Sequence, residues 1–437
     1  MRVLASELSG KAGDGGEAEL RGWVHRVREL GGVSFVMLRD RSGLAQVVIE
    51  GKADLSLESV VSATGTVAEN GRAPGGVELR ASRVETISRA EPDLPFPVNG
   101  DPTRMGLEAV LDNRPLSLRN PRIRAIFSVQ STVIDAFGSF LRSRGFTEIK
   151  TSKLLGSGTE GGTGLFEVDY FGARAYLAQS PQFYKQTMVA SGMERVFEVA
   201  PAYRAEKHDT PRHLNEYVSM DLELAFVESE LELIELEKEL LASVFEAVAS
   251  RDAADLAAWG ASVPSPESVA AAPVIGHAEA LEIAAAEAAR AGEAPAGGAG
   301  TRLHEISPEV ERLVCAWSAR ERGGELVFIN EFPRRHRPFY TYPLDESRTM
   351  SFDAIFRGLE ITTGGRRQHD YTALLEALPS FGLRAEDLAD YLAVFRYGCP
   401  PHGGFAIGLE RLTQKILGLK NVKEASLFPR DRKRVRP

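Results

Sequence analysis

Arg204-Ala205-Glu206-Lys207-His208, with Arg212 and His213 just beyond, and Gly404-Phe405-Ala406-Ile407-Gly408-Leu409-Glu410-Arg411 near the C-terminus decide how this chain is read. Each places an arginine where a nucleotide phosphate can be gripped, because a guanidinium is permanently charged and forks onto two phosphate oxygens. On a strand, Arg204 and Glu206 would point to one face. One suits a phosphate, the other an adenine amino group. The glycines ahead of Arg411 let a backbone approach a ligand closely. Taken singly, each stretch reads more simply as a surface ion pair or a glycine-bearing turn, since short motifs recur by chance.

Taken together, with what lies between them, they resemble the class II aminoacyl-tRNA synthetases. Arg204-Ala205-Glu206 looks like motif 2 of that class, and Gly408-Leu409-Glu410-Arg411 like motif 3. The likeness is greatest to aspartyl-tRNA synthetases of the compact archaeal type that some bacteria also carry. It runs over nearly the whole chain and weakens over residues 253–300.

Length and composition are compatible with this. The chain has 437 residues, enough for two or three domains, with 43% hydrophobic and 26% charged residues, as in ordinary globular protein. No apolar run approaches the roughly 20 residues of a membrane span, and the N-terminus lacks the apolar core of a signal peptide. Cys315 and Cys399 are the only cysteines, which excludes a disulfide framework and argues against zinc. A cytoplasmic protein is expected. The net charge of −9 speaks against nucleic acid only weakly, because binding needs a local basic face. Arg21, Arg26, Arg28, Arg39 and Arg41 form one basic patch; Arg430, Arg432, Lys433, Arg434 and Arg436 form another, readable as an RNA-binding tail or as solvated surface.

Residues 19–27, 34–40, 46–49, 60–67 and 77–85 alternate or carry β-branched runs, separated by turn residues such as Gly31-Gly32 and Asn70-Gly71. Five short strands suggest an all-β OB-type barrel, with a β-sandwich equally open from the residues alone. Domains are expected at 1–90 for this anticodon-binding barrel, 91–120 for a Pro92/Pro95/Pro97/Pro102 linker, and 121–437 for an α+β catalytic domain with an antiparallel sheet. Within the last, Ile123, Phe127, Ile134, Phe137 and Leu141 keep helical spacing up to Gly145. In the family this is motif 1, which builds a homodimer; a proline usually follows where this chain has Ser152. Residues 231–248 read as a glutamate-rich helix. Residues from about 250 to 300 read as a peripheral alanine-rich insertion. Strands are expected at 326–330, 339–342, 351–356 and 359–363, and helices at 371–378 and after Glu410.

The resemblance implies a two-step reaction. L-aspartate attacks the α-phosphate of ATP, giving aspartyl-adenylate and pyrophosphate. A ribose hydroxyl at the tRNA 3′ end then takes the aspartyl group. Neither step needs a protein nucleophile; positioning and charge neutralisation suffice. By position in the family motifs, Arg204, Arg411 and Glu360 are the catalytic candidates. Arg204 would hold the α-phosphate and Glu206 the adenine amino group. His213 and Arg411 would meet the outer phosphates, Arg212 would belong to the ATP site, and Tyr217 would stack on adenine with Arg411 on its other face. Asp353, Glu360 and Thr363 would stand by magnesium, which takes one or two protein carboxylates. A spacing of seven puts Asp353 and Glu360 on opposite faces of a single strand unless Arg357-Gly358 turns the chain, so from residues alone two independent surface acids is the simpler reading.

For the amino acid, the resemblance supplies Glu160 as a lid in Thr159-Glu160-Gly161-Gly162, then Gln182, Lys185, Asp221, Thr363 and Arg367. Lys185 and Arg367 would clamp the side-chain carboxylate, and Gln182, Asp221 and Glu160 would receive the ammonium. Asparagine would leave two buried cations unmatched, at a cost of about 3–5 kcal/mol. Three alternatives are weighed. An asparaginyl-tRNA synthetase has the same fold, but that sister family lacks a lysine at Lys185. A non-catalytic RNA-binding paralogue is disfavoured because Arg204, Glu206 and Arg411 are all present. A tRNA-independent adenylating paralogue would lack residues 18–88.

The aspartate and asparagine anticodons differ at the third base, C against U. His25 and Pro74 fall near the expected anticodon pocket, where strict archaeal relatives carry tryptophan and lysine. Their identities resemble the non-discriminating subgroup, so both tRNA(Asp) and tRNA(Asn) are expected substrates. Phe35 is a candidate base-stacking platform, with a core phenylalanine the simpler reading of that position.

Overall fold

The computed structural model describes residues 2–14, 16–156, 164–207, 209–292 and 305–436. The chain divides into two compact units, Met1–Ala109 and Val110–Pro437.

The first unit is built on β1 (Glu17–Leu30), β2 (Val33–Asp40), β3 (Gly43–Glu50), β4 (Val60–Glu69) and β5 (Val77–Ser88). They close in the order β1-β2-β3-β5-β4, with β1 pairing both β2 and β4. Closure decides for the barrel against the sandwich. Alternate residues fill its interior, among them Leu20, Val24, Val36, Leu38, Val47, Val61 and Leu79. Gly65 makes the tight corner, since a Cβ there would lie 2.0 Å from the carbonyl oxygen of Arg80, and the β4–β5 register shifts at that place.

The division falls within α1 (Leu107–Asp112), and α2 (Arg114–Ser117) and α3 (Pro121–Ser143) follow in the second unit. Asn120 caps α3 by accepting from the amides of Arg122 and Ile123, and Pro121 occupies the first helical position. There follow β6 (Thr147–Glu148), a small sheet of β7 (Leu154–Leu155), β8 (Glu167–Tyr170) and β9 (Ala173–Leu177), then α4 (Gln182–Met188), β10 (Arg195–Tyr203) and β11 (Glu216–Ala225). After them come α5 (Glu230–Arg251), α6 (Ala253–Trp259), α7 (Pro266–Ala270), β12 (Val274–Gly276), α8 (His277–Ala291) and α9 (Pro308–Glu321). The chain finishes with β13 (Leu326–Asn330), β14 (Ser351–Phe356), β15 (Leu359–Arg367), α10 (Tyr371–Ala377), α11 (Ala389–Phe395), β16 (His402–Gly408) and α12 (Leu409–Leu417).

An eight-stranded sheet in the order β12-β13-β14-β15-β16-β11-β10-β6 is the frame. All its interior pairs are antiparallel; only the outermost pairs, β12–β13 and β6–β10, are parallel. One face packs Phe328, Phe352, Phe356 and Phe405 against side chains of α3, α5 and α12 such as Phe137, Leu241, Phe245 and Leu412. On the other face, Val327, Ile329 and Ile355 lie under Ala284, Val310 and Val314 of α8 and α9. The rest of that face is open and forms the cleft.

Two sequence expectations change. Residues 253–292 are not a peripheral insertion: β12 extends the sheet, and Leu256, Val269 and Ala272 belong to the main core. Small apolar residues there mark close helix packing. Residues 339–342 are not a strand; Thr341 makes one isolated bridge to Arg367, and Phe339 and Tyr340 pack in a cluster with Leu374, Tyr391 and Phe395. Alternation in that short stretch reflects local packing against α10 and α11. Among the described residues no helix is long and apolar enough to cross a membrane.

Candidate active site

A cleft of about 400 Å³ opens on the free face of the sheet, lined from β11, β15, β16, the start of α12 and the loop after β10. Its two ends differ in chemistry.

At one end, β11 projects Asp221 and Glu223, two residues apart and so on one face. Lys185 of α4 lies beneath them with no exposed surface. Its Nζ is 2.9 Å from Asp221 Oδ1 and 3.5 Å from Glu223 Oε2, and it donates to the Leu222 carbonyl at 3.3 Å. Arg367 Nε donates to Glu223 Oε1 at 3.0 Å, and its Nη2 to the Gly404 carbonyl at 2.9 Å. Gln182 joins them by donating to Glu223 Oε2 at 3.2 Å. Only glycine fits at 404, because a Cβ there would stand 2.1 Å from the Leu222 oxygen and 2.5 Å from Glu223 Oε2. Burial pushes the Glu223 carboxyl upward, but Arg367, Lys185 and His402 outweigh it and hold the group below its ordinary range. Asp221 Oδ2 is buried without a hydrogen-bond partner, in a residue that lines the cleft. An ammonium suits that oxygen.

This corrects the charge argument made from sequence. Lys185 and Arg367 are not bare cations awaiting a substrate carboxylate; Glu223 already pairs with both. Lys185 lies under the floor and Arg367 in the wall. Glu223 went unremarked, although its place two residues after Asp221 on a strand was a usable signal. Glu160 falls outside the described residues.

At the other end, Arg204 and Glu206 both line the cleft, but not from a strand. β10 ends at Tyr203, and the loop beyond is organised by Asn215. The Asn215 carbonyl accepts from the Arg204 amide at 2.9 Å, and Nδ2 donates to the carbonyls of Arg204 at 2.7 Å and Glu206 at 3.2 Å. The Arg204 guanidinium lies 5.4 Å from the centre of the Tyr217 ring. His213 Nε2 is 3.7 Å from Glu206 Oε2. Arg411, in the first turn of α12, donates to Glu360 through Nη1, at 3.1 Å to the carbonyl and 3.3 Å to Oε1. Glu410 anchors that turn by accepting the Val218 amide at 3.0 Å.

Part of the basic C-terminal segment is docked on this loop, where the Arg430 carbonyl accepts from the Asn215 amide at 2.8 Å. Lys423 Nζ meets Asp209 Oδ1 at 3.0 Å and Asp431 Oδ2 at 2.6 Å, and Lys433 reaches Asp209 Oδ2 at 3.2 Å. Arg434 pairs with Asp112 at 2.6 Å.

Asp353 and Glu360 come together because Arg357-Gly358 is a tight hairpin turn with φ of 50° and 73°. A register shift between Ala354 and Ile355 then sets Asp353 opposite Thr363 and Ile355 opposite Glu360. Thr363 Oγ1 donates to Glu360 Oε1 at 3.2 Å. The simpler reading of two independent surface acids is therefore set aside. Asp353 is buried, with Arg337 Nη2 2.8 Å from Oδ2 and no partner on Oδ1. Burial raises its carboxyl to about 6; Arg337 opposes the rise and the nearby Glu360 adds to it. Glu360 itself is lowered: desolvation raises it, but Arg411, Arg337 and Arg204 together prevail. An orphan carboxylate oxygen, a second carboxylate and a hydroxyl are hard donors that fit magnesium. Among the described residues no group of three or more His, Cys, Asp or Glu is placed to hold a metal, so phosphate and water would have to complete such a site. Arg337, whose guanidinium sits 3.7 Å over the Phe332 ring, was not anticipated; nothing in the local sequence separates it from Arg334 and Arg335.

In the barrel, Phe35 is partly buried on the outer surface, between Arg28 and Val48 on the neighbouring strands, while Val36 and Leu38 turn inward. It is not a core residue. His25 Nδ1 accepts from Arg39 Nη1 at 2.9 Å, and Arg39 forms a buried bidentate pair with Glu58 at 3.1 and 2.7 Å. Burial and then Arg39 lower the His25 pKa, so the ring is neutral. Pro74 is exposed at the head of a short 3₁₀ turn, Pro74–Gly76.

Comparison with known proteins matches residues 106–432 to the family model for tRNA synthetases class II (D, K and N), and residues 18–87 to an OB-fold nucleic acid binding domain. The chain is 46% identical to the aspartate–tRNA(Asp/Asn) ligase of Thermus thermophilus, covering 100% of both chains. It is 43% identical to the enzyme of the same name from Deinococcus radiodurans, over 100% of this chain and 99% of that one. The aspartate–tRNA(Asp) ligase of Pyrococcus horikoshii is 39% identical, over 99% and 98%. Among solved structures, asparaginyl-tRNA synthetase from Pyrococcus horikoshii, complexed with asparaginyl-adenylate, superposes with a TM-score of 0.90 at 28% identity over the whole of both chains.

Proposed function

We propose, from the premise that the chain belongs to the class II tRNA synthetases of the D, K and N group, that it ligates L-aspartate to both tRNA(Asp) and tRNA(Asn). Aspartylation of tRNA is the activity named for the full-length relatives it matches. The observation that carries the amino-acid choice is the buried Lys185–Glu223–Arg367 array beside the unpartnered Asp221 oxygen.

In this reading Asp221 and Gln182 take the substrate ammonium, and Arg367 takes the side-chain carboxylate, held rigid by Glu223 and the Gly404 carbonyl. Lys185 supplies positive potential from below. The substrate α-carboxylate is thereby aimed along the cleft at the α-phosphate, whose negative charge Arg204 neutralises. Adenine lies on Tyr217 with its amino group towards Glu206. Arg411 and Arg212 receive the outer phosphates. Asp353, Glu360 and Thr363 would hold magnesium, which when bound supplies further charge neutralisation at the phosphates. A second copy of the chain is expected against α3, where Ile134 is exposed, and the enzyme is expected in the cytoplasm.

The neutral His25 and the exposed Pro74 support relaxed tRNA choice. A neutral imidazole whose Nδ1 accepts from Arg39 carries its proton on Nε2. That single donor serves the O2 oxygen common to cytosine and uracil, and Pro74 adds no backbone donor. Aspartylation of the two purified transcripts tests this: comparable kcat/KM values are expected. A preference for tRNA(Asp) above about a hundredfold, some 2.7 kcal/mol, would make the enzyme discriminating.

A further inference from the structure

Behind the nucleotide end of the cleft, α9 turns one acid inward. Glu311 is only 4% exposed. Its Oε2 accepts the main-chain N–H of Glu360 at 3.0 Å and pairs with the guanidinium of Arg212. Arg212 lines the cleft from the loop after β10, and Glu360 lines it from β15. The Glu360 carbonyl in turn accepts from Arg411. One carboxylate oxygen thus joins a helix outside the cleft to the loop, the sheet and, at one remove, the start of α12. Burying a carboxylate is costly unless it is paired and hydrogen-bonded. A residue serving packing alone would be apolar here, as Val310 and Val314 beside it are.

We propose that Glu311 is a positioning residue for ATP: it fixes the Arg212 guanidinium against the cleft wall and, through the same oxygen, the main chain of Glu360. Arg212 has many rotatable bonds and sits on a loop. Without its counter-ion it would have to be ordered anew for each nucleotide, whereas fastened it meets the phosphates pre-oriented. The proposal rests on reading this end as the nucleotide site.

The test is ATP–pyrophosphate exchange with aspartate, using Glu311→Gln, Arg212→Gln and the double variant. Glu311→Gln keeps an acceptor for the Glu360 amide and removes only the charge. It is expected to raise the KM for ATP about tenfold and to leave the KM for aspartate within about twofold. The double variant is expected to be no worse than Arg212→Gln alone. Glu311→Asp, charged but one methylene shorter, keeps the charge without the reach and should raise the KM for ATP by less, about threefold. An unchanged KM for ATP in Glu311→Gln, full additivity with Arg212→Gln, or equal damage to both KM values would overturn the proposal. Should Glu311→Gln fail to fold, the pair Glu311→Asp and Arg212→Gln decides: both must raise the KM for ATP selectively, and an unchanged value in either overturns it. A wild-type protein without any exchange would instead sink the nucleotide reading itself.

Discussion

The two faces of the sheet bury charge in opposite ways. On the cleft face, Lys185, Asp221, Glu223 and Arg367 are all buried, and each has an oppositely charged neighbour. On the helix-packed face, α5 buries Glu237 completely, with neither carboxylate oxygen hydrogen-bonded. Depth is the same; company is not. The Glu223 carboxyl is held low by Arg367 and Lys185 against its burial, whereas burial lifts Glu237 to about 8, with the Thr362 hydroxyl opposing and Asp353 adding to the rise. The cleft face keeps its charges because they compensate one another. The other face neutralises its lone acid by protonation.

Lys185→Leu should break that set most severely. It leaves Asp221 and Glu223 buried with one cation fewer, a loss of about 3–5 kcal/mol. Aspartate activation is expected to fall a hundredfold or more, with ATP binding nearly unaffected. Near-wild-type exchange by this variant would mean that the array does not serve the amino acid.

The lone acid gives the converse effect. Between its ordinary value of 4.5 and about 8, the folded state holds a proton on Glu237 that the unfolded chain has lost. Stability therefore falls as pH rises through this window and levels off above it. Glu237→Gln removes the titration, so its stability relative to wild type should climb between pH 5 and pH 9, by on the order of 4 kcal/mol. Denaturant unfolding at the two pH values reads this out; a difference that does not change with pH would show that Glu237 is ionised in place.

A smaller effect is expected where a buried cation has one partner exposed to solvent, as Lys423 has in Asp209. Lys423→Met unfastens Asp209 and Asp431, which tie the nucleotide loop to the C-terminal segment. A loss of about 1 kcal/mol in stability is expected, with a KM for ATP raised severalfold and that for aspartate unmoved. If both KM values rise together, the segment supports the whole cleft and not the loop.

The strands of the barrel were legible from alternation and β-branched runs, since β1 to β4 bury near-alternate residues over much of their length, and only closure needed the third dimension. The helix over residues 121–143 and the hairpin over 351–363 were legible for similar local reasons. Residues 253–292 were not, because a three-residue edge strand and alanine-rich helices carry too little pattern to show that they complete a sheet. Residues 204–206 misled in the other direction: their alternation is that of a strand, but Asn215 holds them as a loop.

By itself the sequence determined which residue types are present and where, two arginine-bearing motifs foremost; the resemblance they carry added an acid pair around Arg357-Gly358 and the residues Lys185 and Arg367. Those are local in the chain, and their spacing survives any folding. What only the tertiary structure decided is how the charges are matched. Glu223 pairs with Lys185 and Arg367, Arg337 with Asp353, and Glu311 with Arg212, each across a long separation in sequence. Electrostatic partnership depends on distance through space and on exclusion of water, and neither is written in the order of residues.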